Sequence, residues 1–250
     1  MLYNNCNRQI KKCEVNHVRI KLAEFIIDIG DVGKYTSDMC RDYEYIGEKN
    51  SDFSVTAEKG LIDAEKKRYP DAPEDYLENI CIYRCICKKI VIFGGILIHS
   101  AAIGMDGNGY MFSASRGTGK TTHMNLWLNL FLGRAFVING DKPIVREIDG
   151  QFFVFGTPWC GKEGINTNTS APIKGICILK RAENNSIERT PSAEALAHLL
   201  TQTVEPEKGT GTIAFLDILN RLIKNVPIYT LHCNMNPEAA EVAYNGMCKK

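Results

Sequence analysis

The feature that most constrains this chain is a glycine-rich segment, residues 114–122, between an apolar run and a stretch of helical character. It reads Ala-Ser-Arg-Gly-Thr-Gly-Lys-Thr-Thr, which matches the last three positions of the pattern G-x-x-x-x-G-K-[ST] and has Ala114 in place of the first glycine. Gly117 and Gly119 allow the backbone to turn so that amide groups point at one anion. A helix that begins at the end of the loop adds its positive end. The segment therefore predicts a phosphate-binding loop.

The side chains of this loop have separate predicted roles. We expect Lys120 to reach the β- and γ-phosphates of a nucleoside triphosphate and Thr121 to place its hydroxyl on Mg²⁺. The alternative is a glycine-rich turn that contains a lysine by chance, but the flanking strand and helix favour the nucleotide. The residues expected to contact the nucleotide are Ser115, Arg116, Gly117, Thr118, Gly119, Lys120, Thr121 and Thr122.

An acid follows the next predicted strand. Residues 136–138 read as a strand, and Asn139, Gly140 and Asp141 come directly after it. In a site with a phosphate loop, a carboxylate at this point can hold Mg²⁺ directly or through water. Thr121 and Asp141 are therefore the predicted metal ligands. The alternative is an ordinary aspartate in a turn.

The rest of the chain alternates between strand and helix patterns. Apolar runs predict strands at 15–29, 43–46, 53–56, 96–103, 110–112, 135–138, 143–147, 151–155, 176–179 and 228–231. Helices are predicted at 61–65, 73–91, 120–132, 192–203, 213–224 and 237–245. The pattern changes near residue 94. We therefore expect an N-terminal α+β lobe or sheet extension at 1–94 and a core at 95–250.

Charge and cysteine content limit the possible partners. The net charge is +1, from 30 basic and 29 acidic residues, so that no overall field favours nucleic acid or a membrane surface. Ten cysteines are scattered through a chain too large for a small secreted disulfide scaffold. The first twenty residues have no apolar stretch, and the longest apolar run, 90–98, is too short to span a bilayer. We expect a reduced, cytoplasmic protein.

A family resemblance extends over about residues 95–245. The chain resembles HPr kinase/phosphorylase-related proteins, and more closely their small kinase-like relatives often associated with peptide-modification gene clusters. Residues 115–122 also resemble ATP-dependent phosphoenolpyruvate carboxykinase, which shares that nucleotide-binding core. The matching residues are His99, Gly117-Thr118-Gly119-Lys120-Thr121, Asn139-Gly140-Asp141-Lys142 and Gly156-Thr157-Pro158-Trp159-Cys160-Gly161-Lys162. The resemblance implies an α/β fold, a mixed sheet flanked by helices, in which the phosphate-loop core phosphorylates a hydroxyl, often of serine, with ATP and Mg²⁺.

The resemblance also implies roles for single residues. Asp141 corresponds to an acid that binds the metal, and His99 to a histidine close to the active site. Gly140 stands where the resembled kinase has a further acid that handles the proton of the acceptor, so that the identity of the catalytic base stays open. Lys162 is a candidate second cation near the γ-phosphate, or an ordinary surface lysine. The candidate catalytic residues are therefore Lys120, Asp141, His99 and Lys162.

Two functions fit these observations. The first is an ATP-dependent kinase whose acceptor is a hydroxyl of a peptide, a protein or a small molecule. The second is a nucleotide-binding regulatory or partner protein with weak or no catalysis, which the glycine at position 140 favours. An NTPase without an acceptor is a third option. Because the resembled kinase is an oligomer, a homo-oligomer is a candidate assembly.

Overall fold

A computed structural model describes residues 16–248 of the chain. Residues 1–15 lie outside this range. They include the start of the predicted N-terminal lobe, the first residue of the strand pattern at 15–29 and most of the segment in which no signal peptide was expected.

Residues 16–248 form twelve strands and seven α-helices. The strands are β1 (Asn16–Leu22), β2 (Phe25–Val32), β3 (Phe53–Thr56), β4 (Gly95–Leu97), β5 (Ser100–Met105), β6 (Asn108–Ser113), β7 (Ala135–Asn139), β8 (Ile144–Ile148), β9 (Gln151–Phe155), β10 (Ser170–Arg181), β11 (Ser186–Arg189) and β12 (Ile228–Cys233). The helices are α1 (Lys34–Cys40), α2 (Lys59–Arg68), α3 (Glu74–Ile90), α4 (Lys120–Leu130), α5 (Ser192–Thr201), α6 (Thr210–Asn225) and α7 (Glu238–Cys248).

The larger sheet of the described residues is mixed and curled around β10. Its order is β4-β8-β9-β10-β6-β5-β7, and β12 pairs with both β10 and β11. The first residues of β10 are antiparallel to β9, whereas its later residues are parallel to β6 and β12. One long strand thus joins an antiparallel part to a part with parallel pairs. This architecture agrees with the predicted α/β class at the level of a mixed sheet flanked by helices.

Helices cover both faces of the larger sheet because its strands alternate apolar side chains between the faces. On one face, Ile176 and Ile178 of β10 share a core with the apolar sides of α5 and α6. On the other face, Cys177 and Leu179 share a core with α4 and α7. The helix α4, which follows the glycine-rich segment, is therefore fixed by burial.

The N-terminal residues form a second, three-stranded sheet of order β1-β2-β3. Its core includes residues of α3, and it continues into Ile144, Phe155 and Trp159 of the region after residue 94. The proposed division of the chain at residue 94 stays a prediction. The shared core makes the two regions neighbours at the loop that contains Trp159.

The predicted single strand at 96–103 is wrong, because β4 ends at Leu97 and β5 begins at Ser100. The Ile98 N–H donates to Pro143 O at 3.3 Å and the His99 N–H to Gln202 O at 2.7 Å, so these two residues leave the ladder. The consequence is that His99 lies in a break between strands.

Other boundaries also differ from the predictions. The strand predicted at 43–46 is a short 3-10 helix at Arg41–Tyr43, followed by an isolated bridge between Ile20 and Glu44. The sequence patterns did not predict α1 and β11, and β10 is longer than the predicted 176–179. No helix within residues 16–248 has the length and apolar character needed to cross a membrane.

Candidate functional site

The glycine-rich segment forms a tight turn between β6 and α4. Gly117 and Gly119 have φ values of +79° and +125°, in the region that favours glycine. Nothing lies within 4 Å of a Cβ built on Gly117, so the loop is open on that side. Ala114 is buried, and its methyl group is accommodated where the sequence pattern has glycine. Ser115, Arg116 and Thr122 are exposed, and the loop is therefore accessible to a ligand.

Lys120 begins α4 and folds back over the loop. Its Nζ donates to Ala114 O at 3.1 Å. Burial lowers the pKa of Lys120, and the negative charge of Asp141 opposes that shift. The ammonium group of Lys120 therefore interacts with the negative charge of Asp141, the acid that was predicted to belong to the same site.

Arg181, at the end of β10, contacts the loop from the opposite side. Its Nε donates to Thr118 O at 3.1 Å and its Nη2 to Gly117 O. Sequence reasoning missed this residue, since 63 positions separate it from Thr118 and it belongs to no local motif. The guanidinium group fixes two carbonyl groups of the loop.

A cavity of about 480 Å³ opens beside the loop on the side of Arg181. Its size is within the range of small-molecule sites in proteins. Apolar side chains of Leu179 and Met235 form part of its wall, next to the backbone of residues 117–119. A nucleoside is of suitable size for this space.

The carboxylate of Asp141 contacts two side chains, His99 and Lys142. Its Oδ1 lies 2.9 Å from His99 Nε2, and its Oδ2 lies 3.3 Å from Lys142 Nζ. Burial alone would raise the pKa of Asp141, but the hydrogen bond from His99 and the charge of Lys142 outweigh it, so the pKa lies below its ordinary value of 3.8. Asp141 is therefore a carboxylate at neutral pH.

His99 is oriented by both ring nitrogens. Besides the contact with Asp141, its Nδ1 lies 3.2 Å from Gln202 Oε1. The Ser113 hydroxyl donates to His99 O at 3.2 Å and lies 3.0 Å from His198 Nε2.

A second histidine, His198, thus lies near the site. Burial, followed by the charges of Lys180 and Lys120, lowers the pKa of His198. His198 was not among the predicted site residues, and no local motif marks it.

A buried amide fixes the backbone on which Asp141 stands. Asn139 is fully buried, and its Oδ1 accepts the N–H groups of Asp141 at 2.9 Å and Lys142 at 2.6 Å. Its Nδ2 donates to Thr157 O at 3.0 Å and Thr157 Oγ1 at 3.1 Å. Because buried polar groups are costly unless paired, this network holds the acid in one position.

The segment 160–165 closes over Asp141. Gly161 has a φ of +82°, and a Cβ on it would lie 2.9 Å from Asp141 Cβ. A Cβ on Gly140 would lie 3.1 Å from Cys160 O and 3.3 Å from Ile165 O. The space beside residue 140, where the resembled kinase has an acid, is therefore occupied by this loop.

The same loop brings a carboxylate to the predicted metal ligand. The Thr121 hydroxyl donates to Glu163 Oε1 at 3.3 Å. Sequence reasoning singled out the neighbouring Lys162 and missed Glu163. Lys162 is exposed, and among the described residues it has no recorded ion pair. The glycines on both sides, Gly161 and Gly164, were the available signal for a loop that approaches a ligand.

Contacts from the N-terminal region hold this loop. The Trp159 Nε1–H donates to Asn79 Oδ1 of α3 at 3.1 Å, and Asn166 Nδ2 donates to Tyr43 Oη at 3.1 Å. Trp159 is buried, and its ring packs against Tyr83 of α3. The loop is thus connected to the N-terminal sheet and to α3.

His123 lies on the buried side of α4. It is 2% exposed, and its Nε2 accepts the indole N–H of Trp127 at 3.1 Å. Burial lowers its pKa to about 4. The imidazole is therefore neutral at physiological pH.

The oxygen groups near the loop fit a hard divalent cation. Mg²⁺ is usually bound through one or two carboxylates together with substrate phosphates and water. Thr121, Asp141 and Glu163 offer a hydroxyl and two carboxylates. No group of three or more His, Cys, Asp or Glu side chains arranged for a metal occurs within residues 16–248. The donor set is compatible with Mg²⁺ bound together with a nucleotide.

Comparisons with known proteins show one family and distant similarity to solved structures. The family model for "SynChlorMet cassette protein ScmC" matches residues 70–242. Among solved structures, the chain is similar to the Hpr(Ser) kinase/phosphatase from Coxiella burnetii, at a TM-score of 0.34 and 8% sequence identity, over 60% of this chain and 95% of that chain. This is a weak similarity of fold. No curated protein matches the chain.

Proposed function

We propose that this chain, which belongs to the ScmC family of SynChlorMet cassette proteins, is an ATP- and Mg²⁺-dependent kinase. It transfers the γ-phosphoryl group to a hydroxyl, such as that of serine. The acceptor is a peptide, a protein or a small molecule.

The main support is that the glycine-rich loop lies close to an ionised Asp141, which accepts a hydrogen bond from His99. Lys120 lies on the loop within the electrostatic range of Asp141, and Asp141 is 2.9 Å from His99. Phosphoryl transfer depends mainly on positioning and on neutralising charge. A cation, an oriented carboxylate and a histidine around one open loop are the groups that this reaction needs.

Each side chain has a role in the proposed reaction. The loop amides and Lys120 bind the β- and γ-phosphates, while Arg181 holds the carbonyl groups of Gly117 and Thr118. The acceptor oxygen forms a bond to the γ-phosphorus as the bond from that phosphorus to the β,γ-bridging oxygen breaks, and ADP leaves with the electron pair. Asp141, held by His99, takes the proton of the acceptor hydroxyl. Mg²⁺, when bound, would neutralise the phosphate charge beside Thr121.

The alternative, a nucleotide-binding regulatory or partner protein, is favoured by one observation. The resembled kinase has an acid at the position of Gly140, and here the backbone of residues 160 and 165 leaves little room for a side chain at that position. In the proposed kinase, the pair of Asp141 and His99 takes over the proton.

Purified protein, ATP, Mg²⁺ and serine-containing peptides test the proposal. We expect ADP to form together with a phosphorylated peptide, detected by mass spectrometry. Lys120→Ala lowers turnover by about 10²–10³-fold, because it removes a charge that stabilises the transition state. The matched control is Lys224→Ala, an exposed lysine of α6, which keeps wild-type turnover.

Two outcomes would contradict the proposal. ATP bound tightly by wild type, without turnover for any hydroxyl acceptor, would support the regulatory protein. ADP formed at one rate with and without acceptors, and never with a phosphorylated product, would support an NTPase.

A further inference from the structure

We infer that Glu163 is a carboxylate of the Mg²⁺ site, beside Asp141 and next to the hydroxyl of Thr121. The inference rests on the proposed function, and it adds a residue that the loop motif does not contain. It also explains how the site obtains a second acid although position 140 is glycine.

The first observation is the hydrogen bond between Thr121 and Glu163. The hydroxyl of Thr121 donates to Glu163 Oε1 at 3.3 Å, although 42 residues separate them. A hydroxyl that binds a metal uses an oxygen lone pair and needs an acceptor for its hydrogen. A carboxylate in this position accepts the hydrogen, leaves the lone pairs free and adds negative charge within reach of the cation.

The second observation is that the charge of Asp141 is already shared. Its two oxygens lie 2.9 Å from His99 Nε2 and 3.3 Å from Lys142 Nζ. Glu163, in contrast, has no recorded ion pair within residues 16–248, and its side chain is exposed at the mouth of the site. Glu163 therefore has the negative charge that is still available to a divalent cation.

The third observation is the geometry of the loop that contains Glu163. Gly161 packs against Asp141 so closely that an added Cβ would lie 2.9 Å from Asp141 Cβ. The loop backbone also lies where a side chain of residue 140 would project, at 3.1 Å from Cys160 O. The segment that leaves little room for a side chain at 140 thus brings another acid to Thr121.

A rival explanation is that the contact only anchors the loop. Glutamine separates the two explanations, because its Oε1 can still accept the Thr121 hydroxyl hydrogen while the charge is lost. Alanine removes both the hydrogen bond and the charge. A metal role requires both variants to be impaired, whereas an anchoring role requires only the alanine variant to be impaired.

The experiment measures ATP binding rather than turnover. Calorimetry gives the dissociation constant of ATP with excess EDTA and with excess Mg²⁺, and electron paramagnetic resonance gives Mn²⁺ binding to the ATP complex. We expect Glu163→Gln and Glu163→Ala to bind ATP like wild type in EDTA. In both variants the affinity of the complex for Mn²⁺ falls about 10- to 100-fold, as is usual for changes around a metal site. Glu205→Gln, at an exposed glutamate, is the control and keeps both affinities.

The outcomes are distinguishable. Wild-type Mn²⁺ affinity in Glu163→Gln overturns the inference and leaves the proposed function intact. The inference is also overturned, and the proposed function left intact, if Glu163→Ala binds ATP more weakly in EDTA but keeps its Mn²⁺ affinity. Such a result would show that Glu163 only anchors the loop. If wild type binds ATP under neither condition, the proposed function fails and this inference fails with it.

Discussion

The buried histidine of α4 leads to a quantitative prediction about acid stability. His123 is 2% exposed, its Nε2 accepts the Trp127 indole N–H, and its ring meets Phe112 edge-on at a centroid distance of 4.6 Å. Burial lowers the pKa of His123 from the ordinary 6.5 to about 4. An imidazolium in this place would lose its hydration and could no longer accept the indole hydrogen.

The direction and the size of this pH effect on stability follow from the protons that the folded and unfolded chains bind. Below pH 6.5 the unfolded chain binds a proton at residue 123, whereas the folded protein binds it only near pH 4, so that acid favours unfolding in this window. The stability that the neutral His123 contributes is fully present above pH 6.5 and is lost as the pH falls toward 4. At about 1.4 kcal/mol per pH unit, the difference between the two values corresponds to a loss of about 3 kcal/mol in the free energy of unfolding.

The assay compares urea unfolding of wild type and His123→Gln between pH 7.5 and 4. Glutamine does not titrate, and its amide oxygen can still accept the Trp127 hydrogen. We expect the free energy of unfolding of wild type to fall by about 3 kcal/mol more than that of the variant over this range. Other titrating groups act on both proteins and cancel in the difference. Parallel curves for the two proteins would refute the argument that burial keeps His123 neutral.

Two further predictions concern the residues around the site. Gly156→Ala places a Cβ 1.9 Å from Thr167 O and lowers the free energy of unfolding by about 3 kcal/mol or more, measured by chemical denaturation. The control Gly60→Ala, with nothing within 4 Å, is neutral or slightly stabilising, and equal losses in both variants would contradict the packing argument. Asn139→Ala leaves the Asp141 and Lys142 amides without their acceptor, so we expect a loss of about 1–3 kcal/mol together with weaker Mg²⁺-dependent ATP binding. Unchanged metal-dependent binding in a folded variant would show that this network does not position Asp141.

Local patterns predicted most of the elements around the phosphate loop. The strand before the loop, the helix after it and the next strand follow from apolar periodicity and glycine placement within about thirty residues. The turn between β5 and β6 is also encoded locally: Asp-Gly is a typical pair for a two-residue hairpin turn, and Asp106 and Gly107 both have positive φ values there. Such signals are independent of the rest of the chain, and the structure confirms these elements.

Contacts between distant segments could not be predicted in the same way. The break before β5 depends on hydrogen bonds from Ile98 and His99 to Pro143 and Gln202, and the sequence of the apolar run contains no sign of it. Similarly, Arg181 and Glu163 reach the loop only because β10 and the 160–165 segment return to it. Such pairings leave no pattern in the local sequence of either segment.

The connection between the N-terminal region and the site follows from the same long-range contacts. The loop with Glu163 is held at one end by the hydrogen bond of Trp159 to Asn79, and at the other by that of Asn166 to Tyr43. Both partners lie before residue 94. A core cut at that boundary would lose these two anchors and expose the apolar ring of Trp159, so the geometry at Thr121 depends on residues that the motif does not include. The N-terminal region therefore supports the loop that contains Glu163 through these two hydrogen bonds.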